Sequence, residues 1–182
     1  MLSLLILFIL LIAFFSGARR GFALQVVYTI GYFLSFLAAQ YFYKPLASHL
    51  ELYIPYPAVT PNSKLVFFDQ AFSFRLDEAF YAGTAFLIIL VIGWLLTRFV
   101  GIFVHGLTYL PILKQADWIA GGLLSLIVAY VTLFLILRLL SFVPIEGIQN
   151  QFSGNSLARF MVENTPILTD KIYDLWVTKV LN

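Results

Sequence analysis

Arg19 and Arg20 stand side by side in the stretch Gly17-Ala-Arg-Arg-Gly21 between two apolar runs, and they are the residues best placed to hold an anion. A guanidinium grips phosphate or carboxylate oxygens bidentately, and a glycine-flanked turn would present the pair to such a group or to a docking partner. The plainer reading is that they anchor the chain's orientation and meet lipid headgroups. Arg98 and Arg138 lie inside apolar runs, where an ionisable side chain is a functional candidate. Each is near an end of its run, so snorkelling to the headgroups also accounts for it. His49 and His105 each stand alone and read as hydrogen-bonded surface residues. Asp77 and Glu78 are neighbours, about 100° apart on a helix, so they cannot act as a paired carboxylate site. At the start of a helix their charge complements its dipole.

Other chemistry is excluded by what is missing. There is no Cys, which removes disulfides and thiolate sites. No metal-ligand cluster, nucleophile with an adjacent base, or phosphate-binding glycine loop is found. The expectation is no catalytic residue, no metal and no cofactor, hence no enzyme. A net charge of +2 with scattered Lys and Arg does not make a nucleic-acid footprint.

The elements that position these residues follow from composition. Of 182 residues 62% are hydrophobic and 11% charged, against roughly 25% charged in soluble domains. Lipid is the solvent this implies. The fold class expected is all-α, a polytopic membrane protein with four transmembrane helices in two hairpins and a C-terminal amphipathic helical tail. The chain reads as a single membrane domain, 1–182, with helices at about 2–16, 22–43, 79–104 and 118–143. Basic residues follow the first run instead of preceding it, so that run reads as a retained helix and not a signal peptide. The second run should stop at Lys44-Pro45.

Residues 44–78 read as an extramembrane loop, punctuated by Pro45, Pro55, Pro57, Pro61, Asn62, Lys64, Asp69, Arg75, Asp77 and Glu78. Its Tyr53, Tyr56, Phe67, Phe68, Phe72 and Phe74 should fold it onto the headgroups. The tail, 149–182, should lie on the bilayer or on the bundle through Leu157, Phe160, Met161, Ile167, Leu168, Ile172, Leu175, Trp176 and Val180. Thr165-Pro166 reads there as an N-cap and first-turn proline.

Arg19, Arg20, Arg98 and Lys114 flank one side of the helices, and Lys44, Arg75 and Arg138 the other. The paired arginines place the short turns in the cytoplasm and both termini outside. Gly31, Ser35 and Ala39 recur at i, i+4, i+8, as do Gly121, Ser125 and Ala129, with Gly122 beside them. Such stripes let helix backbones approach closely in lipid. Their repetition suggests a duplicated hairpin related by an axis along the membrane normal.

The turn Gly17-Ala-Arg19-Arg20-Gly21-Phe22 resembles the glycine–arginine–glycine signature of the colicin V production (CvpA) family. The stretch Pro111-Ile-Leu-Lys-Gln-Ala-Asp117-Trp-Ile-Ala-Gly121-Gly122 is similar to that family's glycine-rich start of the fourth helix, preceded by a polar residue. The plan of four helices and a tail agrees over nearly the whole chain. The resemblance implies a multi-pass protein of the bacterial cytoplasmic membrane, linked to production or export of a peptide toxin and with no known enzymatic activity. The partners it leads one to expect are membrane lipids, an export or envelope protein, or further copies of the chain. The other reading from the residues is a small homo-oligomeric transporter or channel.

Overall fold

The computed structural model describes residues 2–57, 65–68, 75–106, 116–153 and 157–181. Pro61, Asn62, Lys64, Asp69, Phe72, Phe74, Pro111 and Lys114 lie outside them. All regular structure among the described residues is helical: α1 Leu2–Leu50, α2 Leu76–Phe103, α3 Asp117–Leu140, α4 Glu146–Phe152, α5 Leu157–Asn164 and α6 Leu168–Tyr173. The last continues through a π-helical turn, Asp174–Thr178, into Lys179–Leu181. Helix is what apolar solvent selects, because it satisfies every backbone group within one segment.

Three helices, α1, α2 and α3, are long and apolar enough to cross a membrane. Four separate long helices are expected from the sequence; the first two are found as one element. Within α1 only Gly21 departs from helical geometry, at φ 77° and ψ 169°. A side chain is disfavoured at such φ, so glycine is the residue that lets the helix break at one position. The expected five-residue turn is thus a single-residue interruption between stretches 2–20 and 22–50.

The second apolar run also fails to stop at Pro45, which lies inside α1. A proline removes one backbone donor but does not end a helix whose next turn is held otherwise. Here the Pro45 carbonyl takes both the Ser48 hydroxyl, at 2.9 Å, and His49 Nδ1, at 2.8 Å. At the other end of the loop, α2 opens with Asp77 and Glu78 in its first turn, as the dipole argument predicts.

By its contacts the chain forms two compact units, one of residues 1–3, 39–88 and 134–182, the other of residues 4–38 and 89–133. In the first, the tail is core. Trp176 is fully buried, its ring 5.5 Å from Phe86 and 6.3 Å from Phe142. Met161, Val162 and Ile172 are buried with it, whereas Phe160 and Ile167 of the expected apolar side are exposed. The tail's late carbonyls are taken by side chains: Tyr43 donates to Leu175 and Lys44 to Lys179, each at 2.8 Å, and Arg75 donates to Leu181. The Lys179 and Leu181 carbonyls are among the last, which a helix end leaves without intrahelical donors.

Thr165 is not the cap that the sequence suggests. Its hydroxyl turns back to the Met161 carbonyl of α5, and α6 starts after Ile167, which has no side-chain cap. The hydroxyl satisfies the preceding helix's end in place of the next helix's start.

The loop aromatics that are described find protein partners. Tyr56 donates to the Phe142 carbonyl at 2.7 Å, Phe67 packs on Phe152, and Phe68 on Phe142. Tyr53 alone of those described is widely exposed. Beneath them Gln149 is buried, donating to the carbonyls of Ser141 (3.3 Å) and Val143 (2.8 Å) and accepting the Val66 amide at 3.0 Å. One side chain thereby ties the chain after α3 to the loop.

The second unit is built on two antiparallel helix pairings. Gly17 faces Gly121 and Ser125, while Gly31 faces Thr97 and Ser35 faces Gly93. A Cβ on Gly121 would lie 2.7 Å from the Gly17 carbonyl oxygen and 2.8 Å from the Gly21 carbonyl carbon. Backbone meets backbone there.

Candidate functional site

The break at Gly21 starts a new helical stretch at Phe22, and a fresh helix start leaves amide groups without acceptors. Asp117, at the N-terminus of α3, supplies one: its Oδ2 accepts the Phe22 amide at 3.1 Å. A Cβ on Gly21 would collide with that same oxygen. The two stretches that carry the family resemblance therefore meet at one point. The other oxygen, Oδ1, is buried and has no hydrogen-bond partner.

Next to the break, Arg20 turns inward. Its guanidinium donates to Ser16 Oγ at 2.8 Å and to Gln25 Oε1 at 3.3 Å, and lies 5.1 Å from the centre of the Tyr28 ring. Arg98 of α2 is 5.1 Å from the centre of the same ring and 5.5 Å from that of Trp94, and its guanidinium reaches Tyr32. Tyr28 and Tyr32 stack with centroids 6.2 Å apart. Helical spacing explains the assembly: Arg20, Gln25, Tyr28 and Tyr32 follow one face of the chain after the break. Gly101 admits the Tyr28 ring against the α2 backbone. Cation–π attraction partly offsets the cost of bringing two guanidinium groups together.

Arg19 points outward and is exposed, so the pair seen in sequence is divided. Arg138 belongs to the other unit. It is 5% exposed and enclosed by Phe68, Phe142 and Tyr173, with ring centres 5.3–5.6 Å from its Cζ. These rings cover it, so it does not snorkel, and its Nε has no hydrogen-bond partner. Of the small-residue positions, Gly31, Ser35, Gly121 and Ser125 lie in the helix pairings, and Gly122 is against Phe14. Ala39 is fully buried in the first unit, and Ala129 is half-buried.

Sequence reasoning missed the partners. Gly17 and Gly21 read as turn formers, yet they face Gly121; Gly93 and Thr97 carry the same four-residue spacing in α2 and went unread. Gln25, 1% exposed, was the visible signal for the arginine cluster, a lone amide in an apolar run. Among the described residues no group of three or more His, Asp or Glu could hold a metal ion. A cavity of about 320 Å³ beside Lys44, Glu51, Glu78 and Lys179 has both signs of charge on its rim. Lys44 and Lys179 already have partners there, the Lys179 carbonyl and Asp174.

A family model described as colicin V production protein matches residues 2–166. The chain belongs to that family. It is 31% identical over 176 residues, 97% of either chain, to the uncharacterized transmembrane protein YshB of Bacillus subtilis (strain 168). No solved structure matches. Both signature stretches fall inside the matched region, so the contact between Asp117 and the Gly21–Phe22 break joins two family segments. This is a membrane protein of the colicin V production family, all-helical where described, and its long helices leave much of their apolar surface exposed. In the most apolar windows of α1 and α2 only 11% of residues are buried.

Proposed function

We propose that this chain is a non-enzymatic, four-pass factor of the bacterial cytoplasmic membrane, a scaffold or accessory protein in production or export of a peptide toxin or in envelope maintenance. The observation that supports it best is the break at Gly21, capped by Asp117. It divides α1 into two stretches of which each, with α2 and α3, is long enough for one pass; about 20 residues span a bilayer core. The arginine placement supports short turns in the cytoplasm and termini outside. The polar groups found inside the helices hold the chain to itself: Ser16 and Gln25 serve Arg20, and Thr97, Ser35 and Thr132 bond the carbonyl four residues back. That is the economy of a structural protein.

Deletion of the gene from its host, followed by measurement of secreted peptide toxin and of resistance to envelope stress, tests the role. Loss of either with normal growth otherwise supports it; no change in both overturns it.

One observation favours a second reading, a homo-oligomeric transporter or channel. Arg20 and Arg98 place two cations on one tyrosine within the helices. Solute flux into liposomes carrying the purified protein, lost in Arg98→Gln, would favour transport over scaffolding.

A further inference from the structure

Arg20 and Arg98 converge on Tyr28 from two helices, and neither forms an ion pair among the described residues. Arg20 spends its donors on neutral oxygens, those of Ser16 and Gln25. Arg98 Nε is buried without a hydrogen-bond partner. The carboxylate that reaches the break, Asp117, is directed at the Phe22 amide. Two like charges are therefore held close together on half-exposed side chains, an arrangement that an anion accepting from both would stabilise. Each guanidinium carbon lies 5.1 Å from the ring centre, so the two are at most twice that distance apart. Below that bound, on a shared side of the ring, one phosphate group can accept from both forks.

We propose that Arg20 and Arg98 together form a binding site for a phosphate oxyanion, with Tyr28 as the platform between them and Gln25 and Ser16 orienting Arg20. The proposal rests on the membrane-spanning reading, which puts both arginines near helix ends, level with lipid phosphates. The oxyanion is either the phosphate of an anionic lipid or a soluble phosphate. Arg19, adjacent in sequence, is outside the site.

The test is calorimetric titration of the delipidated full-length protein in nonionic detergent. One arm uses dioctanoyl phosphatidylglycerol, a second inorganic phosphate, and a third dioctanoylglycerol, which lacks phosphate. Saturable binding in the first arm alone identifies a lipid headgroup site, and in the second a free oxyanion site; the third gives none. The binding seen weakens at least tenfold in Arg20→Gln and in Arg98→Gln and is unchanged in Arg19→Gln. Arg20→Lys and Arg98→Lys, which keep charge but lose the fork, weaken it severalfold. No saturable binding in either phosphate arm overturns the proposal, as does equal weakening by Arg19→Gln. If the glutamine variants do not fold, the lysine variants decide, and unchanged affinity in both overturns it. Resistance of the wild-type chain to alkaline carbonate extraction is read separately, so failure of the site and failure of the membrane reading are distinguishable.

Discussion

The carboxylate of Asp117 caps the amide of Phe22, 3.1 Å away and 95 residues distant in sequence, and so a residue at the start of α3 fixes where α1 begins again. Asp117→Ala removes the acceptor and should cost about 0.5–2 kcal/mol of stability, the range for losing an N-cap. Asp117→Asn keeps an acceptor and should cost less. Thermal unfolding of the purified chain in detergent, followed by circular dichroism, measures both. Equal stability of wild type and Asp117→Ala would remove the cap from the account.

Gly21→Ala should be worse than a lost cap alone. It forces a side chain into a backbone conformation open essentially to glycine alone, at about 1–3 kcal/mol, and drives its Cβ into the Asp117 carboxylate. Since both substitutions break one contact, the double variant Gly21→Ala with Asp117→Ala should lose less than the sum of the single losses. Strict additivity in the same unfolding assay would contradict this.

Close backbone contact is needed at Gly121 and not at Gly106. A Cβ at Gly121 meets backbone atoms at 2.7–2.9 Å, which no rotamer change relieves, whereas at Gly106 nothing lies within 4 Å. Gly121→Ala should therefore destabilise by about 1–3 kcal/mol, as overpacking does. Gly106→Ala should stay within about 0.5 kcal/mol of wild type. Matched unfolding curves of the two variants provide the comparison.

Gln149 makes three hydrogen bonds from a buried position. Gln149→Leu leaves two carbonyls and an amide without it and should cost about 2–4 kcal/mol. The region it ties down, around Val66, should become the first site of limited proteolysis, which mass spectrometry of the fragments would locate.

Tyr56 gives the pH dependence. Burial first, and then the charges of Asp77 and Tyr81, push its hydroxyl up to about 12. In the unfolded chain the group ionises from about pH 10. The folded state thus holds the proton longer, and its stability should be level below pH 10 and fall as pH rises from 10 towards 12. Tyr56→Phe should flatten part of that decline; an unchanged slope would show that the group titrates normally.

How much of this was legible beforehand depended on solvent and spacing. The apolar runs place α2 and α3 within a few residues, because a hydrocarbon solvent leaves a chain little choice but helix. The short break was located but its form was not: Gly17 and Gly21 can each turn the chain, and it is Gly21, beside Asp117, that departs from the helix. Pro45 reads as a stop, yet α1 runs on to Leu50, its last turn held by the Ser48 and His49 side chains on the Pro45 carbonyl. The arginine cluster was hidden for a different reason. Arg20 and Arg98 are 78 residues apart, and pairing across helices leaves no mark within either run. Tail burial was unreadable likewise, since an amphipathic helix has the same pattern on lipid as on protein.

The central claim is that the chain crosses the membrane on both sides of the Gly21 break. The absence of cysteine allows single-cysteine labelling without prior substitutions. Ala18→Cys, just before the break, and Leu52→Cys, just past the end of α1, each treated with a membrane-impermeant maleimide in intact and in permeabilised cells, report the two sides flanking the second stretch of α1. The account predicts labelling of Leu52→Cys in intact cells and of Ala18→Cys only after permeabilisation. Labelling of both from the same side, or no labelling of Ala18→Cys under either condition, would contradict it.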